Sequence, residues 1–420
     1  MRKYKKWAVV LSLSLGLMFT GCNNTNGTMD LISTPELPNG KQEEVKNAIE
    51  KLIPSDAELL TAKNSEYKQT IYLDDLNHDG LQEAFIVYKD NNESGQVHFL
   101  VLQEENGSWN KVSDITSDYY TLDYLNIHDL DENGRKEIMI GVGLSDTDQK
   151  KQFLVYELEK EGLANKVDRS YEELAISDFD GDNKLDIFII DGEQNQMQEA
   201  ELLNYEAGQL ELQSKVELAV DGYHENMVIG KLADGKKAVF LDSGLGAHSM
   251  LTEIVAYDNN NLIKIGDEND GILLKAYPLY SKDINKDGVI EVGGMYIPKG
   301  YEDAAMAEIP FIYTYSDYTI DGTHETVEQR YVNNDHNFYI TIPSEWYNKL
   351  TVEKIDQGVR LLANEDSEIL FEVKWSSKES DQSTNTKLGE TKDTVFYTDR
   401  KDELLISKDN FHLLEEDFNQ

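Results

Sequence analysis

Four nine-residue stretches of this chain place side-chain oxygens at alternating positions. They are Asp75-Leu-Asn77-His-Asp79-Gly80-Leu81-Gln-Glu83, Asp129-Leu-Asp131-Glu-Asn133-Gly134-Arg135-Lys-Glu137, Asp178-Phe-Asp180-Gly-Asp182-Asn183-Lys184-Leu-Asp186 and Asp283-Ile-Asn285-Lys-Asp287-Gly288-Val289-Ile-Glu291. Each offers Asp or Asn at positions 1, 3 and 5 and a carboxylate at position 9. Calcium takes six to eight oxygen ligands, backbone carbonyls included, so such a turn can wrap one ion. The carbonyl at position 7 (Leu81, Arg135, Lys184, Val289) completes the set. Position 6 must turn sharply, and Gly80, Gly134, Gly288 and Asn183 are residue types that tolerate a left-handed backbone. Taken alone, one such loop is a hairpin turn held by its own hydrogen bonds. Four in one register point instead to up to four structural calcium ions. The third loop carries four carboxylates and is expected to bind most tightly, because ligand charge tunes affinity. The second, with neutral Asn133 at position 5, is expected to bind less well than its carboxylate count at the other positions would allow.

The loops recur roughly every 50 residues, a period typical of repeat architectures. A degenerate copy, Gly230-Lys-Leu232-Ala-Asp234-Gly235-Lys-Lys-Ala238, keeps the spacing and the apolar second position but loses most oxygens. The repeat is therefore first an architectural unit and only then a metal site. Strand-like text surrounds each loop. In the first unit Thr70–Leu73, Ala84–Tyr88, His98–Gln103 and Trp109–Ile115 read as four short strands. Four strands per unit around an axis is the plan of a β-propeller, so an all-β fold with about five four-stranded blades is expected over 65–335. A stacked solenoid of hairpins is the alternative. Position 12 of each loop falls in a strand-like run or at Gly294, not at the bidentate Glu of a helix-flanked EF-hand. Val45, Ile49 and Ile53 share one face of a helix in the lead-in 41–64. The tail, 336–420, lacks acidic loops of this kind. Alternation at Phe338, Ile340 and Ile342, and at Ile369, Phe371, Val373 and Trp375, predicts a small antiparallel or α+β domain. Val395–Thr398 and Leu404–Ile406 are further strand candidates, and Ser376–Thr391 reads as a long solvated loop.

The loops resemble those of FG-GAP/VCBS-type repeats, the calcium-loop blades of integrin-like propellers. The wider layout is similar to bacterial FG-GAP-like lipoproteins, with a Pro-x-x-Trp turn at Pro343-Ser-Glu-Trp346. The resemblance implies a metal-loop propeller. It does not imply one function, because blades of this kind serve adhesins, receptors and polysaccharide enzymes alike.

Residues 1–21 have the layout of a secretory signal: Arg2, Lys3, Lys5 and Lys6, then an apolar run from Ala8 to Phe19, then Thr20-Gly21. The run is shorter than the ~20 residues that span a bilayer. Cys22 follows, and the segment resembles a bacterial lipobox with Phe19 where Leu is usual. The resemblance implies lipidation of Cys22 and anchoring on the outer face of the cytoplasmic membrane, with the outer membrane as the alternative anchor and 22–40 as a flexible tether. Cys22 is the only cysteine, so no intramolecular disulfide is available. The chain carries 39 Lys and Arg against 80 Asp and Glu, a net charge of −41. That excludes nucleic acid as an expected partner, since phosphate binding needs basic side chains, and it favours cations. No Gly-x-Ser-x-Gly elbow or His-Glu-x-x-His pattern is present, and Gly244-Leu-Gly246-Ala-His248-Ser249 reads as a loop between strands. The favoured function is a membrane-tethered module binding an envelope protein or glycan. The alternatives are a polysaccharide-acting enzyme and an assembly protein of the envelope or spore surface.

Overall fold

The computed structural model describes residues 39–64, 68–91, 95–192, 197–219, 223–246, 248–267, 270–378, 385–400 and 405–414. The signal segment, Cys22 and nearly all of the tether lie outside the described residues. No described helix is long and apolar enough to cross a membrane.

Strands here carry apolar runs such as Ala84–Tyr88 and Ile187–Ile190, with no polar alternation. A strand buried on both faces reads this way, and the structure supplies both faces. Six antiparallel sheets, each of four or five strands, follow one another along the chain. In sheet 1 Glu58–Leu59 and Ile71–Asp74 pair with Glu83–Lys89, followed by Val97–Glu105 and Ser108–Thr116. Sheet 2 runs from Thr121 to Tyr171 and sheet 3 from Glu173 to Glu217. Sheet 4 runs from His224 to Ile265, with Leu274–Lys275 added on its third strand. Sheet 5 contains Val292–Tyr296, Ile312–Tyr318, His324–Asn333, Phe338–Ile342 and Phe411–Leu413. Sheet 6 contains Leu350–Ile355, Gly358–Ala363, Ile369–Ser377, Thr394–Thr398 and Thr386–Glu390.

Each sheet shares an apolar seam with the next. Phe85, Val87 and Phe99 of sheet 1 meet Leu125, Ile138 and Ile140 of sheet 2. Met139, Phe153 and Val155 on the opposite face of sheet 2 meet Ile187, Ile189 and Leu203 of sheet 3. Phe188 and Ile190 then meet Val239 and Leu241, and Ala238 and Phe240 meet Ile290 and Val292. Blades of a β-propeller stack in this way, face to face and in chain order. Both ends of the stack are finished. Helix Asn39–Leu52 lays Val45 and Ile49 against Ala84, Ile86 and Leu100 on the free face of sheet 1. On sheet 6 the far face is polar, with Arg360 bonded to Glu372 and Glu353. Among the described residues, no apolar seam joins sheet 6 back to sheet 1.

Several expectations need correction. The stack has six sheets, because the tail adds one to the five expected. The boundary expected at 335/336 falls inside sheet 5: Phe338–Ile342 pairs with His324–Asn333, and Phe411–Leu413 closes the same sheet. Sheet 6 then shares Phe338, Ile340, Leu361 and Phe371 in one core with sheet 5, so the two are packed as neighbouring blades. The stretch Ser376–Thr391 is not one loop: Thr386–Glu390 is the edge strand of sheet 6, and 379–384 lie outside the described residues. The tail is antiparallel, as expected, and its helical elements among the described residues are short 3₁₀ turns at Ser344–Trp346 and Lys408–Asn410. Leu405 and Ile406 form no strand. A register shift at Leu361/Leu362 turns Leu370 into the core in place of Ile369, which breaks the expected alternation.

Candidate metal centres

All four acidic loops occupy the same place. In sheets 1 to 3 the loop joins one strand to the apolar strand that pairs with it, and its position-9 carboxylate opens that second partner. In sheet 5 the strand before the loop is reduced to the single bridge Lys282–Glu291. The apolar second residue anchors each of the first three loops: Leu76, Leu130 and Phe179 are buried in successive inter-sheet seams. Leu232 does the same in the degenerate copy.

Within a loop, backbone N–H groups orient the side-chain oxygens. In the fourth, Asp283 accepts from the amides of Asp287 at 3.1 Å and Gly288 at 2.9 Å. Asn285 accepts from Asp287 N–H at 2.9 Å and Asp287 from Val289 N–H at 2.8 Å. The same bonds recur in the first loop at Asp75, Asn77 and Asp79, and in the second at Asp129, Asp131 and Asn133. In the third loop Asp178, Asp180 and Asp182 accept from Asn183, Asp182 and Lys184. Two residues per loop are left-handed. Position 6 is one, as the sequence indicates (Gly80, Gly134, Asn183, Gly288). Position 4 is the other, and in three loops it is a residue with a side chain: His78, Glu132 and Lys286, against Gly181 in the third. Nothing in those residue types announces the conformation, so the sequence could not reveal it.

Beneath each loop sits the position-9 carboxylate. Glu83, Glu137, Asp186 and Glu291 are almost wholly buried. One oxygen of each accepts the backbone N–H of position 2, at 2.8 Å from Leu76, 2.7 Å from Leu130, 2.7 Å from Phe179 and 2.9 Å from Ile284. The other oxygen of Glu137 and of Glu291 is buried without any hydrogen-bond partner. A buried, unpaired carboxylate oxygen is costly. Burial, with neighbouring carboxylates adding to it (those of the loops, Glu157 beside Glu137 and Asp317 beside Glu291), pushes Glu137 and Glu291 up to about 7. Burial likewise lifts Asp186 to about 6 and raises Glu83. Among the described residues, three groups gather carboxylate oxygens within 4.8 Å of one another: Asp129, Asp131 and Glu137; Asp178, Asp180 and Asp186; Asp283, Asp287 and Glu291. Each of these could hold a metal ion. A cation would satisfy the orphan oxygens and hold the carboxylates ionised, so the donor sets of the second and fourth loops fit one especially well.

The first loop differs. Gln103, on the neighbouring strand, donates its amide to Asp79 at 3.0 Å and to Glu83 at 2.8 Å. It satisfies the oxygen that is orphaned in the second and fourth loops. No sequence signal within the loop could have shown this, because Gln103 lies one strand away. The neutral Asn133, by contrast, does not prevent the second loop from gathering its three carboxylates. In the degenerate copy Asp234 accepts from Ile320 N–H at 2.9 Å, so its one retained acid ties the loop to sheet 5. Adjacent loops also touch. Lys136 N–H donates to Leu76 carbonyl at 2.9 Å, and Lys184 pairs with Glu132 at 3.3 Å.

A buried polar network elsewhere was not legible either. Lys275 is enclosed between sheets 4 and 5 and donates to the carbonyls of Leu279 at 2.7 Å and Gly293 at 2.6 Å. Asp242, 3.7 Å away, accepts from Thr252 at 2.5 Å and from the Ser281 amide at 2.7 Å. Burial pulls Lys275 down to about 8. Its bonds go to the connection between the two sheets at Leu279 and to the first strand of sheet 5 at Gly293, which is a packing role. The Gly244–Ser249 stretch, expected as a loop, is partly strand: Gly244 and Leu245 end one strand of sheet 4, Ser249 opens the next and pairs with Leu245, and Ala247 lies outside the described residues.

No family model matches this sequence, and no curated protein is similar to it. Among solved structures the chain is similar to a Lactobacillus plantarum protein (11% identity, 73% of this chain and 84% of that one, TM-score 0.31). It is also similar to the rhamnogalacturonan lyase of Bacillus licheniformis (12%, 74% and 71%, TM-score 0.29). A third is TolB of Acinetobacter baumannii (11%, 77% and 65%, TM-score 0.25). These overlaps are loose, and the fold described above rests on this chain's own sheets.

Proposed function

We propose that this protein is a calcium-stabilised, propeller-type binding module of FG-GAP/VCBS character, exported and tethered through a lipid on Cys22, that engages an envelope protein or glycan. The observation that carries the metal part is the pair of orphan oxygens on Glu137 and Glu291, carboxylates that gather with those of the loops above them. Calcium suits such all-oxygen sites better than zinc or copper, which favour nitrogen and sulfur. The metal's role is structural. A chain with one cysteine has no disulfide to brace it, and ions that bind only the folded state stabilise it by mass action, by about 2.7 kcal/mol per site at a hundredfold excess over Kd.

The role of tether rests on the sequence of the leader. Lipidation is tested by growing cells on labelled palmitate: Cys22 carries the label and C22S does not. A labelled C22S protein, or an unlabelled natural one, contradicts the anchor. The binding role is tested by retention of an envelope component on the immobilised chain, with and without calcium. Retention unaffected by removing calcium contradicts a scaffold that depends on the metal.

A further inference from the structure

Beside the fourth acidic loop, on sheet 5, lies a cavity of about 560 Å3. That is the size of a small-molecule site. Its lining is aromatic. Tyr313 and Tyr315 come from the strand Ile312–Tyr318, Tyr277 and Tyr280 from the connection leaving sheet 4, and Phe311 from the segment entering sheet 5. Tyr277 and Phe311 are edge to face, with ring centroids 5.7 Å apart. Tyr315 is wholly buried, yet its hydroxyl has no hydrogen-bond partner in the protein. Buried tyrosine hydroxyls ordinarily have one.

The charges of the lining are unusual for this molecule. Acids outnumber bases twofold in the chain, 80 to 39. Around the cavity the order is reversed, with Lys282 and Lys354 against Asp335. Two ammonium groups disfavour a cationic guest, although an aromatic cage alone would suit one. Aromatic rings and an excess of positive charge in the lining together suit a ligand that is ring-shaped and carboxylated. Lys282 immediately precedes Asp283, and its backbone exchanges hydrogen bonds with Glu291 at 3.0 and 3.1 Å. The metal loop thus fixes the chain at the cavity's edge.

We propose that this cavity binds a short acidic saccharide, its sugar rings against Tyr277 and Tyr313 and a carboxylate toward Lys282. The proposal rests on the binding-module reading for the existence of a ligand and names its class and place. The test is calorimetric titration of the full chain in calcium with trigalacturonate, and with maltotriose as the neutral counterpart. The expected result is binding of trigalacturonate at least tenfold tighter than maltotriose, weakened roughly tenfold by K282M and by Y277A. Absence of trigalacturonate binding, equal binding of the two sugars, or undiminished binding by K282M overturns it. If K282M also lowers the melting temperature, K282R decides: retained binding supports the charge contact, and binding lost as fully as in K282M overturns it. A protein that melts in a calcium-dependent way but takes neither sugar refutes this site and leaves the metal reading standing.

Discussion

At the scale of single residues, the most informative groups are the buried carboxylates at position 9 of the acidic loops. Glu137 and Glu291 are pushed from the ordinary 4.5 to about 7 by burial. Without metal, the folded state therefore binds protons that the unfolded state has already released between pH 4.5 and 7. Stability of the metal-free protein should fall as pH rises through that window. Calcium requires the ionised form, so its binding releases protons and its affinity should rise over the same range. Melting temperatures at pH 5 and pH 8 check this: the chelated protein is expected to lose several degrees on going to pH 8 and the calcium-loaded protein to lose little. Equal losses in both states contradict the assignment. Positions 1, 3, 5, 6 and 9 were legible because each needs a particular residue type. The left-handed position 4 and the bridge from Gln103 were not, since the first tolerates any side chain held by its neighbours and the second depends on strand pairing.

At the scale of elements, the loop and the strand it feeds act together. The third loop keeps four carboxylates, Asp178, Asp180, Asp182 and Asp186, and is expected to hold its ion most tightly. The first, bridged by Gln103, is expected to fill last. Calcium titration of variants lacking one position-9 acid at a time measures this: D186N should abolish the highest-affinity step, and E83Q should alter only the weakest. Loss of the tightest step in E83Q would reverse the order. Sheet 2 offers a check on packing alone. Gly141 sits where an added Cβ would collide with the Tyr171 hydroxyl and press on Tyr124. Tyr171 is itself held by Asp123 at 2.6 Å. G141A should destabilise by about 1–3 kcal/mol, the usual cost of overpacking, in calcium and in chelator alike. A neutral G141A would show that this seam has slack. Apolar runs identified the strands well, because strands buried on both faces have no polar alternation to blur them. Edge strands such as Thr386–Glu390 were missed for the opposite reason: one-sided, polar and short, they read as loop.

At the scale of the molecule, stability is distributed along the stack, since each internal sheet buries one face on the sheet before it and the other on the sheet after. The tail is part of that array and not an appendage. Cutting at 335/336 would strip Phe338–Ile342 and Phe411–Leu413 from sheet 5 and open the core shared by Leu361 and Phe371. A fragment of residues 336–420 is therefore expected to be unfolded by far-ultraviolet circular dichroism and to show no cooperative melt. A folded fragment would restore the independent domain that the sequence suggested. The sequence mistook this boundary because the acidic loops end at Glu291, and their absence from the tail looked like a change of architecture when only the metal site is missing. The central claim is that calcium, held by loops stacked at one place in successive sheets, takes the place of covalent cross-links. The most direct test is a thermal melt of the full chain with excess calcium and with chelator at pH 7.5. The account predicts a fall of several degrees or more in chelator, reversed by adding calcium back. An unchanged melting temperature would contradict it.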